Sequence, residues 1–334
     1  MNHFPVSSSQ LSAPHLALFL QSQYNAAPGV ECHLIKSGIN DTYEVNTNLG
    51  KFVFRVYSLH WRTEEEISEE IRLIQLLKDH DMPVSSAVQD KHGRYLQTLH
   101  APEGDRFGVL FTFAAGEKLP IYSPDIHFKI GTVMARMHQL TYQLPLNRVT
   151  YTATNLLEGS LPAIQRFLGT DTPEMAFMAA AEQYLLQTLR DADTSAIRKG
   201  VVHLDIWFDN MNINADGDIT IFDFDFCGNG WQCMDIAYYI LQQHNVFREM
   251  DECTLQTKAF LEGYNSVTPI SAEEQRLLPV LGVALYFFYL RIQCDRYDNW
   301  SNVFLNEPYL KRFIKLLVKR YYDLYLPLST VNPE

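Results

Sequence analysis

The sequence predicts an α+β fold of two lobes, in which a small antiparallel sheet carrying one main helix precedes a larger, mostly helical lobe. Three observations carry this expectation. A length of 334 residues exceeds one ordinary compact unit and falls short of three. Short β-prone segments separated by turn residues crowd the first third of the chain, and apolar residues at helical spacing take over beyond Ala114. The composition, 47% hydrophobic and 13% aromatic, is that of a chain able to bury a large core.

The elements follow in order. Leu11 to Tyr24 has helical periodicity, with Ser12 and Pro14 at a plausible start. Cys32 to Lys36, Thr42 to Thr47 and Phe52 to Tyr57 are β-prone and are divided by Ser37-Gly38-Ile39-Asn40-Asp41 and by Asn48-Leu49-Gly50, so three antiparallel strands are expected. Thr63 to His80 turns helical, with Ile67, Ile71, Ile74 and Leu77 on one stripe and glutamates around its first turns, where the helix dipole favours carboxylates. Strands near Val84 to Gln89 and Gly108 to Phe113, with a hairpin arm at Arg94 to Leu99, complete the sheet. Helices are expected over Ile126 to Gln139, Glu174 to Asp191, Thr254 to Tyr264, Ala272 to Cys294 and Glu307 to Leu324. Val201 to Phe226 is the exception, two β-prone runs about the turn Ala215-Asp216-Gly217-Asp218. The lobe boundary is set near Phe113 to Gly116, giving lobes 1–113 and 114–334.

Several function classes are disfavoured. A formal charge of −12 with no basic block argues against a nucleic-acid surface. Five cysteines, Cys32, Cys227, Cys233, Cys253 and Cys294, lie far apart without metal-finger spacing and fit a reducing cytoplasm. No basic start with an apolar run opens the chain, and Arg291 and Asp295 bound the apolar run Leu277 to Leu290, so neither export nor membrane insertion is expected.

The chemistry concentrates in His203-Leu204-Asp205-Ile206-Trp207-Phe208-Asp209-Asn210, followed after one hairpin by Asp223-Phe224-Asp225. Phosphoryl transfer needs one carboxylate to orient the acceptor hydroxyl and separate oxygen ligands for magnesium. Asp205 suits the first role, and Asn210 and Asp223 the second. The competing reading makes His203 a core histidine and the carboxylates turn and cap residues, but four polar residues in this order around a hairpin favour the chemical one. A zinc site at His203 and Asp205 lacks an evident third protein ligand.

This pattern, HxDxxxxN and then an Asp-Phe pair after a hairpin, resembles the catalytic and metal-binding loops of the kinase superfamily, and within it the aminoglycoside phosphotransferase and choline kinase-like group. Homoserine kinase type II and bacterial stress-response kinase sequences share the likeness. Gly230-Trp231 and Asp235-Ile236-Ala237 extend it, Asp235 opening a helix that in the family steadies the catalytic loop. The resemblance implies a protein-kinase-like fold and a soluble ATP- and Mg2+-dependent phosphotransferase. Leu204 departs from the group's usual Gly. Asp225 replaces the Gly of the protein-kinase motif, and no Ala-Pro-Glu element follows, which argues against an activation loop.

The resemblance also assigns parts of the first lobe. Gly38, Asn40, Asp41 and Thr42 form the turn that would cover ATP phosphates, although a plain hairpin explains the same residues. Arg55, a cation in an apolar strand, requires a partner; Glu70 on the following helix is preferred over Glu66 and Glu69 and resembles the kinase strand-cation and helix-Glu pair. The strand holding Phe111 and Phe113 looks like the linker whose backbone meets adenine, and a buried strand is the alternative. Acceptor choice falls to the helical half, where Tyr286 to Trp300 reads either as pocket or, more simply, as core with an Arg291–Asp295 pair. The expected acceptor is a small-molecule hydroxyl on an amino alcohol, homoserine, sugar-like molecule or aminoglycoside; a protein Ser/Thr kinase and an ATP-binding pseudokinase are the alternatives. The oligomeric state is not legible in the sequence.

Overall fold

In the computed structural model, which describes residues 4–247 and 249–326, the chain divides into two units. Residues up to Glu117 group with Asn212–Asp225, and Lys118–Met211 groups with the chain from Phe226 onward.

The first unit opens with helix α1 (Ala13–Gln23) and strands β1 (Glu31–Ser37), β2 (Asp41–Thr47) and β3 (Gly50–Val56). Helix α2 (Glu64–Asp79) starts at a capping box in which the Thr63 hydroxyl accepts from the Glu66 amide and the Glu66 carboxylate accepts from the Thr63 amide. Strands β4 (Leu96–Ala101) and β5 (Gly104–Thr112) close an antiparallel sheet of order β1-β2-β3-β5-β4. Arg55 lies opposite Thr42 on one side and Val109 on the other, in the central strand. Tyr43, Val45, Phe54, Val56 and Leu110 meet Leu16 and Leu20 of α1 in one apolar cluster.

One expected strand does not form. Val84 to Gln89 reaches the sheet only through isolated bridges, Val84 with Ile221 and Ala87 with Phe111. Its backbone hydrogen bonds are divided between two neighbours: the Ser85 amide donates to Ile221, while the Val88 amide donates to Leu110. The Ser85 hydroxyl donates to the Thr112 carbonyl and the Ser86 amide to the Thr112 hydroxyl, so side-chain bonds supplement the few backbone bonds and no continuous ladder forms. The arm expected at Arg94 to Leu99 supplies the fifth strand instead, as β4.

The second unit begins with α3 (Pro124–Leu140), α4 (Ala153–Leu157), α5 (Ser160–Gln165), α6 (Pro173–Arg190) and strand β6 (Lys199–Val202). Strands β7 (Met211–Ile213) and β8 (Ile219–Ile221) form the expected hairpin, which from Asn212 onward groups with the first unit, its turn fixed by the Asn214 carboxamide oxygen accepting from the amides of Asp216 and Asp218. Strand β9 (Gly228–Trp231) pairs with β6 and leads into α7 (Cys233–Val246). Then come α8 (Met250–Asn265), α9 (Ala272–Asp295), α10 (Glu307–Phe313) and α11 (Arg320–Tyr325), the last two joined by a π-helical turn over Ile314–Lys319. The sequence had read residues 307–324 as one regular helix.

Helices α3 and α8 pack backbone to backbone, because a Cβ on Gly131 would lie 2.1 Å from the Phe260 carbonyl oxygen and one on Gly263 would lie 2.0 Å from that of Phe128. Helix α9 (Ala272–Asp295) matches the helix expected over Ala272 to Cys294 to within one residue. It runs through Arg291 for 24 residues and is long and apolar enough to cross a membrane, yet 72% of its apolar window is buried against the rest of the protein. Its neighbours include α4, α5, α6 and α7. That is the position of a core helix.

Candidate active site

The first cluster belongs to the second unit and is built around the loop between β6 and β7. Asp235, in the first turn of α7 and fully buried, accepts from the His203 amide at 2.8 Å and the Leu204 amide at 2.6 Å, and its Oδ2 is 3.0 Å from His138 Nε2. The other ring nitrogen of His138 is 2.7 Å from the Tyr264 hydroxyl. Pinned in this way, Leu204 adopts φ 62°, a left-handed backbone that costs a β-carbon-bearing residue on the order of 1–3 kcal/mol. The Tyr289 hydroxyl donates to the Leu204 carbonyl at 2.6 Å, and the Asp205 amide donates to His203 Nδ1 at 3.1 Å.

The turn presents the Asp205 carboxylate to two donors. The Tyr238 hydroxyl donates to Oδ1 at 2.6 Å, and the Asn210 carboxamide nitrogen donates to Oδ2 at 2.6 Å and to the Asp205 carbonyl at 3.0 Å. Burial first, and then the Asp205 charge, push the Tyr238 phenol well above its ordinary value, so it remains a donor at any physiological pH.

The second cluster belongs to the first unit. Arg55 and Glu70 are paired as the burial argument required, Nη1 to Oε1 at 2.8 Å, with the Glu70 side chain fully buried. The other Glu70 oxygen accepts from the Tyr57 hydroxyl at 3.0 Å. Glu66 is occupied in the capping box, and Glu69 binds Arg72 through two bonds of 2.9 Å, which separates the three competing glutamates. The remaining Arg55 nitrogen lies 3.0 Å from Asp223 Oδ1, and the Phe111 ring is 5.1 Å from its guanidinium. Asp223 has φ 67° and a side chain about one third exposed, so both acidic motif positions, 204–205 and 223, are adjacent to or in left-handed backbone.

Asp225 is the hub of this unit. Its carboxylate accepts from Asn40 at 3.0 Å, from the Trp61 indole at 2.7 Å and from Arg62 Nε at 2.9 Å, while Arg62 also donates to its carbonyl. Burial raises the carboxyl, but the charges of Arg62 and Arg55 with these hydrogen bonds prevail and bring it down to about 2.

The expected turn residues have other work. Asn40 spans Asp225 and the Ser58 amide, and Asp41 sits between the Ser37 hydroxyl at 2.8 Å and Arg106 at 2.9 Å. Gly38 closes the turn by donating to the Asn40 carbonyl, and Thr42 lies opposite Arg55. Phe113 carries Lys51 over its ring at 5.4 Å. In the Tyr286 to Trp300 stretch the core reading holds for Tyr286, Phe287 and Phe288, which are buried, and Arg291 pairs with Asp295 at 3.3 Å. Sequence reasoning missed Tyr238, His138, Trp61 and Arg62, and placed Tyr289 only within the stretch read as pocket or core. Only Tyr238 left a trace, three residues after Asp235 and hence on a neighbouring face of the same helix.

Comparison with known proteins follows this geometry. The model of the family described as "Phosphotransferase enzyme family" matches residues 31–277. A protein named homoserine kinase from Methylobacillus glycogenes is 28% identical over 258 residues, covering 77% of each chain. Among solved structures, a microcompartment-associated aminopropanol kinase superposes with a TM-score of 0.76 at 19% identity, covering 93% of this chain and 98% of the other. The amicoumacin kinase hAmiN, in complex with AMP-PNP, Ca2+ and Ami, gives 0.75 at 18% identity, covering 94% and 97%. At that identity the likeness establishes the kinase-like α+β fold.

Proposed function

Because this chain belongs to the phosphotransferase enzyme family, we propose that it transfers the γ-phosphoryl group of ATP to a hydroxyl of a small molecule, with amino alcohols such as homoserine or aminopropanol as the first acceptor class. The observation that supports this most strongly is the Asp205 carboxylate fixed between Tyr238 and Asn210 on a strained turn. Such a carboxylate is an oriented acceptor for the proton of an attacking hydroxyl. The acceptor oxygen bonds to the γ-phosphorus as the bond from that phosphorus to the β–γ bridging oxygen breaks. ADP departs, and the acceptor's proton passes to Asp205.

Arg55 supplies positive charge for the α- and β-phosphates, and its ion pair with Glu70 orients the guanidinium. The turn at Gly38, tied down through Asn40 and Asp225, covers the phosphates with backbone amides. The strand of Phe111 and Phe113 supplies backbone groups for adenine. Residues 1–113 thereby serve the nucleotide, and 114–334 serve catalysis and the acceptor.

The chemistry of each proposed ligand suits Mg2+. Asn210 and Asp223 offer hard oxygens, the Asn210 nitrogen being committed to Asp205 so that its carboxamide oxygen is the atom offered to a cation. Among the described residues no cluster of three or more His, Cys, Asp or Glu side chains could hold a metal alone. This suits an ion completed by phosphate and water oxygens. When bound, it neutralises phosphate charge during transfer. ATP as donor and five buried, free cysteines support a cytoplasmic enzyme.

The names of the relatives favour small acceptors over proteins. The test is Mg2+-dependent ADP release over amino alcohols, sugars, aminoglycosides and Ser/Thr peptides. Release should rise with at least one small hydroxyl compound. A rise with peptides alone would replace this reading with that of a protein kinase.

A further inference from the structure

We propose that a pocket walled by α7, α8, α9 and α11 binds a small, flat, neutral aromatic molecule bearing a carboxamide-like donor and acceptor pair, and that its occupancy is felt at the Asp205 loop through α7. The pocket lies within the second unit, has a volume of about 460 Å³, and is lined by Ile240, His244, Thr257, Leu261, Leu278 and Tyr325 among others. That volume suits a small molecule, and the wall is largely apolar and aromatic.

Two polar groups in the wall lack their ordinary partners. His244 is 93% buried; its Nε2 is 2.8 Å from the Tyr325 hydroxyl, whereas its Nδ1 has no hydrogen-bond partner among the described residues. Burial, and next the Arg320 charge, hold this imidazole down to about 4, so it is neutral at pH 7. The second group is the Thr257 hydroxyl on α8, which also lines the pocket and whose buried oxygen has no hydrogen-bond partner among the described residues. A buried polar atom without a partner costs free energy that a ligand can recover. A carboxamide can pair with the Thr257 hydroxyl, which both donates and accepts, and meet Nδ1 in either tautomer, since it has both a donor and an acceptor.

The neighbouring irregularity points the same way. The π-helical turn Ile314–Lys319 immediately precedes Tyr321 and Tyr325, both in the wall, and such turns are frequent at functional sites. A neutral ligand is indicated because the rim charges of Lys258 and Glu262 compensate each other at 3.8 Å.

The link to the Asp205 loop is short, covalent along α7 and hydrogen-bonded at its far end. Helix α7 carries Ile240 and His244 in the pocket wall and, on its earlier turns, Asp235 and Tyr238, which hold residues 203–205. Six residues separate Tyr238 from His244, about 9 Å along the axis. A ligand that stiffens or shifts one end of such a rod biases the other.

The experiment titrates the full chain with benzamide, following heat by calorimetry and amide hydrogen exchange by mass spectrometry. Saturable one-site binding is expected, with slowed exchange over residues 235–246 and 203–205. Thr257→Trp and Leu261→Trp, each filling the pocket, should abolish it while keeping the wild-type melting temperature; if one fails to fold, the other decides. No saturable heat, equal binding by a folded pocket-filled variant, or equally tight binding of toluene would overturn the site. Binding that leaves exchange at 203–205 unchanged would overturn the coupling. None of these readouts uses catalysis, so they stand or fall apart from the proposed reaction.

Discussion

Asp205 takes its orientation from two unlike donors, a carboxamide five residues along the same loop and a phenol from α7. The first is legible in the sequence, because the loop is local and its spacing is set by covalent geometry. The second is not, since a tyrosine on a following helix carries no mark of which carboxylate it meets. Leu204 shows the same division. Its departure from Gly was visible; the left-handed φ that makes the departure costly needed coordinates. Loss of one hydrogen bond to a charged group is worth about 1.5–3 kcal/mol. Tyr238→Phe should therefore lower kcat about 10- to 100-fold with the ATP KM nearly unchanged, because the phenol touches the proposed base and not the proposed nucleotide residues. Steady-state kinetics at saturating acceptor checks this, and an unchanged kcat would show that Asn210 alone suffices.

At the scale of elements, α2 and β3 were readable because their signals are redundant: a capping box, an apolar stripe and one cation amid apolar residues. The choice of Glu70 over its neighbours follows from phase, being the glutamate on the face shared with Ile67, Ile71 and Ile74. What the sequence hid were elements whose bonds go to side chains or to two partners. Residues 84–89 are one case, and the π-helical turn is another, since its insertion leaves helical periodicity almost intact. Helix α7 was seen only at its start. Glu70 holds both Arg55 and Tyr57 in the interior, so Glu70→Ala leaves the guanidinium with Asp223 as its remaining carboxylate and takes away the acceptor of the Tyr57 hydroxyl; about 1–3 kcal/mol of stability should be lost. Arg55→Met removes the cation itself and should instead raise the ATP KM and lower kcat. Denaturant titration and kinetics on the same two variants separate these effects, and a Glu70→Ala protein as stable as wild type would contradict the buried-pair account.

For the molecule as a whole, pH reads out the buried ionisable groups together. Burial holds His127 and His244 at about 4, below their ordinary 6.5, so between those values the unfolded chain binds protons that the native chain refuses. Their contribution is complete above pH 6.5 and declines as pH falls toward 4. Asp225, held at about 2, adds stability above its ordinary 3.8 that is lost only below that value. The melting temperature should thus fall steadily from pH 7 to pH 4 and further beneath it; a flat profile across pH 7 to 4 would mean that the imidazoles are solvated.

The family match and the paired Arg55 and Glu70 agree with a reaction carried by the Asp205 loop. The most direct measurement is ADP release by wild type and Asp205→Asn at saturating Mg·ATP and the best small acceptor, with Mg·ATP affinity measured on both. A drop of at least ~100-fold in turnover at unchanged affinity is the predicted result. Equal turnover in the two proteins would contradict the assignment of Asp205 and the mechanism built on it.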